Sequence, residues 1–321
     1  MPDLAVGGQA VIEGVMMRSD DRVATAVRVP SGEIKVRTDP FVSLTRRHKI
    51  LGLPIIRGAV SFIEMLVVGI KSLNFSADVA VVEIEKEEAA KNGQVYHEKK
   101  RKPNSLLLGL TVVLAMAVGI TVFFFLPLAL STMMNIHRDA LPFNLVAGII
   151  RVTLFILYVW GISFIGDFKR VFAYHGAEHK SIFAFESGAT LTPESVVGYS
   201  RRHPRCGTSF ILIVAIFAIF IYSISDTLYA VWFGHAPALM VRFAVHFALL
   251  PLVAGGSYEL LKLSGRTRNS RITRILIAPG LWMQNITTQE PTHDQLEVAI
   301  VALESAMGIT ESSLIVKRVP V

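Results

Sequence analysis

One short segment of the chain carries residues whose types and spacing suit metal chemistry. It reads His175-Gly176-Ala177-Glu178-His179-Lys180, and if it is helical, His175, Glu178 and His179 share one face. This H-x-x-E-H order is that of the inverted zinc-protease motif. In such a motif two imidazoles hold the metal, and the glutamate handles the proton of the attacking water. The segment therefore predicts metal-dependent chemistry with Glu178 as the catalytic general base.

A second segment supplies further candidate ligands, in the run Arg202-His203-Pro204-Arg205-Cys206-Gly207. His203 and Cys206 form an H-x2-C pair in a tight turn, which is typical of half of a zinc knuckle. Cys206 is the only cysteine of the chain, and the arginines around it favour its thiolate form. The four predicted ligands are His175, His179, His203 and Cys206. These ligand types favour a divalent metal, zinc first. A complete set of four would make a closed, structural site, whereas three would leave a position open for catalysis.

Other polar residues near these segments are assigned supporting roles. Glu259 follows Tyr258 near the end of an apolar stretch, and we expect it as a further ligand or as a partner of a ligand. Lys180, Arg202 and Arg205 are predicted to hold an anionic group of the substrate. The alternative for the arginines is that they only supply the positive charge of a cytoplasmic loop.

The composition indicates that these residues are positioned by a membrane protein. Apolar residues make up 52% of the chain and charged residues 18%, with a mean hydropathy of +0.51. A soluble protein usually has about a quarter charged residues. The single cysteine excludes a disulfide-stapled secreted domain. The net charge of +7 is typical of cytoplasmic loops in a membrane protein, so the lipid bilayer is the expected partner and nucleic acid is not.

Four apolar stretches reach the length of about 20 residues that a bilayer-crossing helix needs. They run at about 106–130, 145–165, 209–233 and 238–263. Basic residues are concentrated at 99–102, in the loop 167–208 and after 263, whereas the loops near 131–144 and 234–237 have almost none. This alternation predicts that both termini are cytoplasmic.

A fifth apolar stretch, at 53–73, is interrupted by Arg57, Glu64 and Lys71. Basic clusters lie on both sides of it, so a crossing would carry one cluster outside. We interpret the stretch as an amphipathic helix on the cytoplasmic surface or under the bundle. A re-entrant segment is the alternative.

The two ends of the chain read as a small folded portion. β-rich runs at 23–29 and 33–37 are joined by Pro30-Ser31-Gly32, which predicts a hairpin. Near the C-terminus, Thr292 and Gln295 fit a capping box, and Gly308 fits a helix stop. The predicted fold class is therefore mostly α: a polytopic membrane protein with four transmembrane helices and a small cytoplasmic α+β portion formed from both termini. We divide it into 1–102, a transmembrane domain at 103–263 containing the His/Cys loop, and 264–321.

Charged residues inside the predicted spans are expected to pair, because a lone charge in lipid is costly. Asp226 and Arg242 lie at similar depths below the outer end of the bundle, and Arg151 lies near it. We predict an intramembrane ion pair of Asp226 with Arg242 or Arg151, with His246 one turn from Arg242. The alternative is an ion or proton path.

The residues resemble a known family. The resemblance is carried by the runs 7–18, 174–180, 202–209, 279–282 and 295–300, and it extends over essentially the whole chain. These runs resemble the YqhQ-like bacterial membrane proteins, a family of unknown function (DUF1385). The resemblance implies a multi-pass protein of the bacterial inner membrane and a metal-dependent enzyme, an activity that depends on the same histidines.

Three functions stay open at this point. The leading one is a metal-dependent, hydrolytic membrane enzyme acting at the cytoplasmic face. The second is a non-enzymatic scaffold or regulator of other membrane proteins, in which the metal only holds the loop together. The third is a transporter, which the sequence favours least because, except for Glu259, no series of acidic residues continues through the spans to the cytoplasmic side.

Overall fold

The computed structural model describes residues 6–94, 105–136, 139–204, 206–266, 271–309 and 316–318; the basic run at 99–102 lies outside them. Its strands are β1 (Gly7–Val11), β2 (Gly14–Arg18), β3 (Arg22–Arg28), β4 (Ile34–Pro40) and β5 (Val316–Arg318). Its helices are α1 (Leu44–Arg47), α2 (Ile56–Lys91), α3 (Ser105–Ile120), α4 (Leu126–Met133), α5 (Ala140–Ile162), α6 (Gly166–Glu186), α7 (Pro193–Val196), α8 (Gly207–Phe233), α9 (Leu239–Ala248), α10 (Leu250–Arg266), α11 (Arg271–Thr287) and α12 (His293–Met307). A π-helical turn, Thr121–Phe125, joins α3 to α4.

The strands form one sheet in the order β1-β2-β3-β4-β5. The first four strands are antiparallel, and β5 lies parallel to β4, with Val36 opposite Arg318. The predicted hairpin is confirmed, since β3 pairs with β4 and Gly32 takes a positive φ of 88° in the turn. Both ends of the chain therefore belong to the same sheet.

Helices cover both faces of the sheet. On one face α12 packs on β2 and β3 while α6 packs beside it on β1 and β2, and Leu296, Ile300 and Leu303 are buried there. The predicted capping box is present, because the Thr292 side chain accepts from Gln295 while the Gln295 side chain accepts from Thr292. On the opposite face, α2 contributes side chains to a second core cluster. The site described below is thus built on a layered α+β unit.

Four helices in the described ranges are long and apolar enough to cross a membrane: Ile56–Lys91, Leu110–Met133, Ala140–Ile162 and Ile213–Phe233. The stretch expected at 53–73 is therefore the first part of a 36-residue helix. The span expected at 238–263 is broken instead into α9 and α10, which are bent by 50°. Pro251 at the start of α10 lacks the backbone N–H that a continuous helix would need, which accounts for the break.

The buried charges of the apolar helices meet in one cluster. The Oδ2 atom of Asp226 lies 3.1 Å from Nε of Arg242 and accepts from Asn144 at 2.9 Å. His246 donates from Nε2 to Oδ1 of Asp226 at 3.0 Å. Arg242 and Asp226 are both 2% exposed, so each charge is neutralised by the other within the apolar interior.

Arg151 does not join this ion pair, contrary to one of the two predicted partners. Its Nε donates to the carbonyl of Phe123 at 2.9 Å, and its guanidinium lies over the ring of Phe124. Phe123 stands in the π-helical turn, whose irregular ladder leaves carbonyl groups available to side chains. The guanidinium of Arg151 is thus stabilised by a main-chain carbonyl and an aromatic ring instead of by the expected carboxylate.

Candidate metal centre

Three of the four predicted ligands converge in the structure. The segment expected as part of a loop is the helix α6, which places His175 and His179 one turn apart, with ring centroids separated by 4.4 Å. Cys206 stands immediately before α8. One ligand atom from each of these three residues lies within 4.8 Å of the other two. A tetrahedral zinc ion separates such atoms by about 3.3–3.7 Å. The distance from Nε2 of His175 to Sγ of Cys206 is 3.2 Å, slightly shorter than this range, so these two atoms would have to move apart by a few tenths of an ångström to hold the ion.

Backbone carbonyls fix the orientation of both imidazoles. The Nδ1 atom of His175 lies 2.8 Å from the carbonyl oxygen of Thr287, and Nδ1 of His179 lies 2.5 Å from that of Arg201. Since a carbonyl only accepts, each Nδ1 carries the hydrogen, and each Nε2 of the neutral ring is left with its lone pair. Burial also lowers the pKa of His179 and so favours the neutral ring. This is how proteins commonly orient histidine ligands.

The carbonyl of Thr287 is at the end of α11, and the segment that follows this helix approaches α6 closely because Gly176 has no side chain. A Cβ atom at this position would lie 2.1 Å from the carbonyl oxygen of Gln289. The Gln289 backbone N–H in turn donates to the carbonyl of Phe172 at 2.9 Å. Gly176, inside the H-x-x-E-H motif, is therefore required for the close packing that brings the Thr287 carbonyl to Nδ1 of His175.

A buried glutamine in α11 holds the loop that leads to Cys206. The Gln284 side chain is 0% exposed. It accepts from the backbone N–H of His203 at 2.7 Å and donates to the His203 carbonyl at 2.9 Å. Sequence reasoning missed Gln284 and Thr287, although a glutamine among apolar residues of a helix is a signal that could have been noted.

Glu178, the predicted general base, lies next to the three ligands and is 5% exposed. Burial raises the pKa of its carboxyl group, while His175, His203 and the backbone N–H of Gly8 act against this rise. Its Oε2 atom is buried and has no hydrogen-bond partner among the residues that the structure describes. Gly8 allows this arrangement, because a Cβ there would lie 2.9 Å from the Glu178 carboxyl carbon. A carboxyl group with a raised pKa beside candidate metal ligands is suited to proton transfer.

His203, the fourth predicted ligand, is adjacent to the group of three but outside it. Its ring centroid is 5.7 Å from that of His179, and it is 4% exposed. Its Nε2 atom lies 3.8 Å from Oε2 of Glu186 at the end of α6. If a tetrahedral metal ion were held by the group of three alone, one coordination position would be left for a ligand from outside the group.

Glu259, predicted as a further ligand or ligand partner, is used elsewhere. Its Oε1 atom accepts from Nε of Arg57 at 2.6 Å, and its Oε2 atom accepts from the same guanidinium. It thereby joins α10 to α2 and is not among the residues grouped around Cys206. The physical reason is that a bidentate arginine satisfies both carboxylate oxygens.

Of the residues predicted to bind an anion, the structure describes Lys180 and Arg202. The Nζ atom of Lys180 is 2.8 Å from a carboxylate oxygen of Glu290 and donates to the carbonyl of Val197 at 2.7 Å. Arg202 is exposed, and Arg205 lies outside the described residues. Lys180 therefore has local partners that neutralise its charge, which removes the reason for assigning it to a substrate.

Comparison with known proteins supports one family. The family described as "Protein of unknown function (DUF1385)" matches residues 53–309. The chain is 34% identical over 307 residues to "Uncharacterized protein YqhQ" of Bacillus subtilis (strain 168), which covers 92% of this chain and 90% of the relative. No solved structure matches the chain. The chain belongs to the DUF1385 family.

Proposed function

We propose that this protein is a metal-dependent hydrolase of the bacterial cell membrane, with its metal centre and both termini on the cytoplasmic side. The location is supported by the apolar helices and by the distribution of basic residues between the loops that connect them. The bacterial relative fits this location.

The observation that carries the enzymatic proposal is the set of three oriented ligands beside a buried glutamate. His175, His179 and Cys206 make a ligand set of the type that catalytic zinc uses, three protein ligands with a fourth position free. A divalent metal at such a site supplies Lewis acidity for hydrolysis. Glu178 is the group that would take the proton of the attacking water and pass it to the leaving group. Its unpartnered Oε2 atom fits this role, because a structural carboxylate is normally satisfied.

A structural metal in a membrane scaffold or regulator is the second candidate, and one observation favours it. His203 is buried with its ring near that of His179, so a change of its side-chain rotamer could supply a fourth ligand. Four protein ligands would close the site and hold α6 to the segment 203–206 that leads into α8.

The Glu178→Gln variant separates the two candidates. Glutamine keeps the size of the side chain and removes the base, so a hydrolase keeps its metal and abundance but loses activity, by roughly 10² to 10⁴ if the base is lost. The measurements are the metal content of the purified full chain and complementation of a strain that lacks the gene. The exposed Glu194→Gln in α7 is the matched control and should complement fully.

The ligand variants complete the test. His175→Ala, His179→Ala and Cys206→Ala should each reduce bound metal. If these variants fail to complement while Glu178→Gln complements fully, the metal is structural and the hydrolase proposal is wrong. If all of them keep their metal, the site does not bind it.

A further inference from the structure

Among the residues that the structure describes, α2 is the longest apolar helix; its first turns pack against α10, where Arg57 pairs with Glu259, and its remaining turns pack outside the bundle of apolar helices. Its apolar window has a mean hydropathy of 1.6, which alone would suit a span. From Glu64 onward, however, it packs along the sheet and along Ser43, which follows the sheet's fourth strand. Ser43 donates to Glu64 at 2.8 Å, and Thr25 in β3 donates to Ser72 at 3.0 Å. Further along, Lys35 in β4 pairs with Glu83 at 2.9 Å.

The part of α2 that extends beyond the sheet is too short to cross a membrane. Residues 56–63 precede these contacts, and eight helical residues extend about 12 Å. The hydrocarbon core is about 30 Å thick. The sheet cannot make up the difference by entering the lipid, because its strands carry Arg22, Lys35 and Arg37 and because an open sheet edge leaves backbone groups unsatisfied there.

The number of crossings leads to the same conclusion. Since β5 pairs with β4, both ends of the chain lie on one side of the membrane, and the number of crossings between them must be even. The helix at 110–133 takes the chain away from the side of the sheet, and α5 brings it back. Helix α8 then takes it away again, and the bent pair α9–α10 brings it back. The bent pair does return, because Gly255 in α10 packs against Ile55 just before α2. These four crossings are complete without α2, and α2 would make a fifth.

The face of α2 that points away from the sheet carries an exposed apolar stripe, which we call the α2 stripe. Its members are between 43% and 60% exposed. They are Phe62, Ile63, Leu66, Val67, Ile70 and Leu73. The sheet-facing side of the same turns is packed, with Gly69 against Gln9 and Ser72 against Thr25. Such a stripe on a helix joined to apolar spans is typical of a helix lying in the membrane interface.

An exposed basic segment precedes the stripe. Arg46, Arg47, His48 and Lys49 are all exposed, and Ile50 and Leu53, which follow them, are 71% and 51% exposed. Arg46 pairs with Asp20, whereas Arg47 and Lys49 add positive charge beside the apolar side chains. Basic residues next to an interfacial helix attract the acidic lipids of the cytoplasmic leaflet.

We infer that α2 lies along the cytoplasmic leaflet, with the α2 stripe in the lipid and the basic segment on acidic phospholipid headgroups. The inference rests on the membrane location proposed above and does not depend on the metal centre. Alkaline extraction of membranes tests that location separately. If the full chain is released into the soluble fraction, the location itself is wrong.

A photo-crosslinking amino acid in the full-length protein tests the contact directly. It replaces Val67 in the α2 stripe or, as the matched control, Lys86 in the charged half of the same helix, and both sites are exposed. In nanodiscs of equimolar phosphatidylcholine and phosphatidylglycerol, position 67 should form lipid adducts and position 86 should not. Crosslinks from position 67 to a second copy of the chain, or to neither lipid nor protein, would overturn the inference.

Two further measurements test the side of the membrane and the choice of lipid. Lys86→Cys should react with an impermeant maleimide only after the membrane is opened, with the wild-type chain and its buried Cys206 as the blank. Reaction in intact cells would mean that α2 crosses. Phosphatidylglycerol should be enriched in the adducts of position 67, by about fivefold for each basic residue. Replacing Arg47 and Lys49 by Gln should remove this enrichment, and an unchanged enrichment would refute the role of the basic segment.

Discussion

The buried pair of Asp226 and Arg242 predicts a strong non-additive effect on stability. Asp226→Leu would leave the guanidinium of Arg242, which is 2% exposed, without its carboxylate. Breaking a buried ion pair on one side costs about 3–5 kcal/mol. In a domain of 150–250 residues, this corresponds to a Tm lowered by roughly 6–20 °C. Arg242→Met should have a cost of the same kind, because it leaves the Asp226 carboxylate buried without the guanidinium.

The double variant Asp226→Leu/Arg242→Met distinguishes pairing from general damage. Apolar replacement of both partners is often close to neutral, so the double variant should recover most of the loss. The assay is thermal unfolding of the purified full chain in detergent, followed by tryptophan fluorescence. Ser223→Ala on the same helix, which removes only a hydrogen bond to the Ile219 carbonyl, is the control and should cost about 1 kcal/mol. A double variant whose loss equals the sum of the single losses would refute the pairing.

Further predictions concern topology and the supports of the metal centre. Reporter fusions at positions 100, 140, 190, 235 and 275 should read in, out, in, out, in, and a cytoplasmic signal at 140 would contradict this topology. Gly8→Ala should destabilise the chain by about 1–3 kcal/mol, because its methyl group would lie 2.6 Å from the Met16 carbonyl oxygen, whereas Gly7→Ala meets nothing within 4 Å and should be neutral in the same thermal assay. Gln284→Leu should lower metal retention on dialysis against a chelator while the fold is kept. Retention equal to wild type would show that the two hydrogen bonds from Gln284 to the His203 backbone are not needed for metal binding.

The sequence predicts those parts of the fold that depend on local patterns. The hairpin around Gly32 and the capping box at Thr292 are visible because turn and cap residues act within a few positions. Helical spacing also predicted that His175 and His179 share a face. The break before Pro251 was missed, because a proline near the end of an apolar stretch is tolerated in a span and does not require a bend.

The rest depends on contacts between distant residues, for which a single sequence gives no signal. Nothing local distinguishes Glu259 paired with Arg57 from Glu259 turned towards the histidines, since both arrangements need only a carboxylate at this position of the helix. Thr287 acts through its carbonyl, which every residue possesses, so its identity carries no information. The partners of Lys180 were missed in the same way, because Glu290 is 110 positions away in the sequence.

The pairing of β4 with β5 has a consequence for how the protein is made. Arg318 lies opposite Val36, so the ribosome must add roughly 280 residues after β4 before the sheet can close. At bacterial rates of ~5–20 residues per second, this takes about 14–56 s. During that time the edge of β4 stays open, while the apolar helices between the two strands are synthesised. An open strand edge is a template for unwanted pairing. A chain that is released before its last strand is added therefore keeps this edge exposed to pairing with other chains.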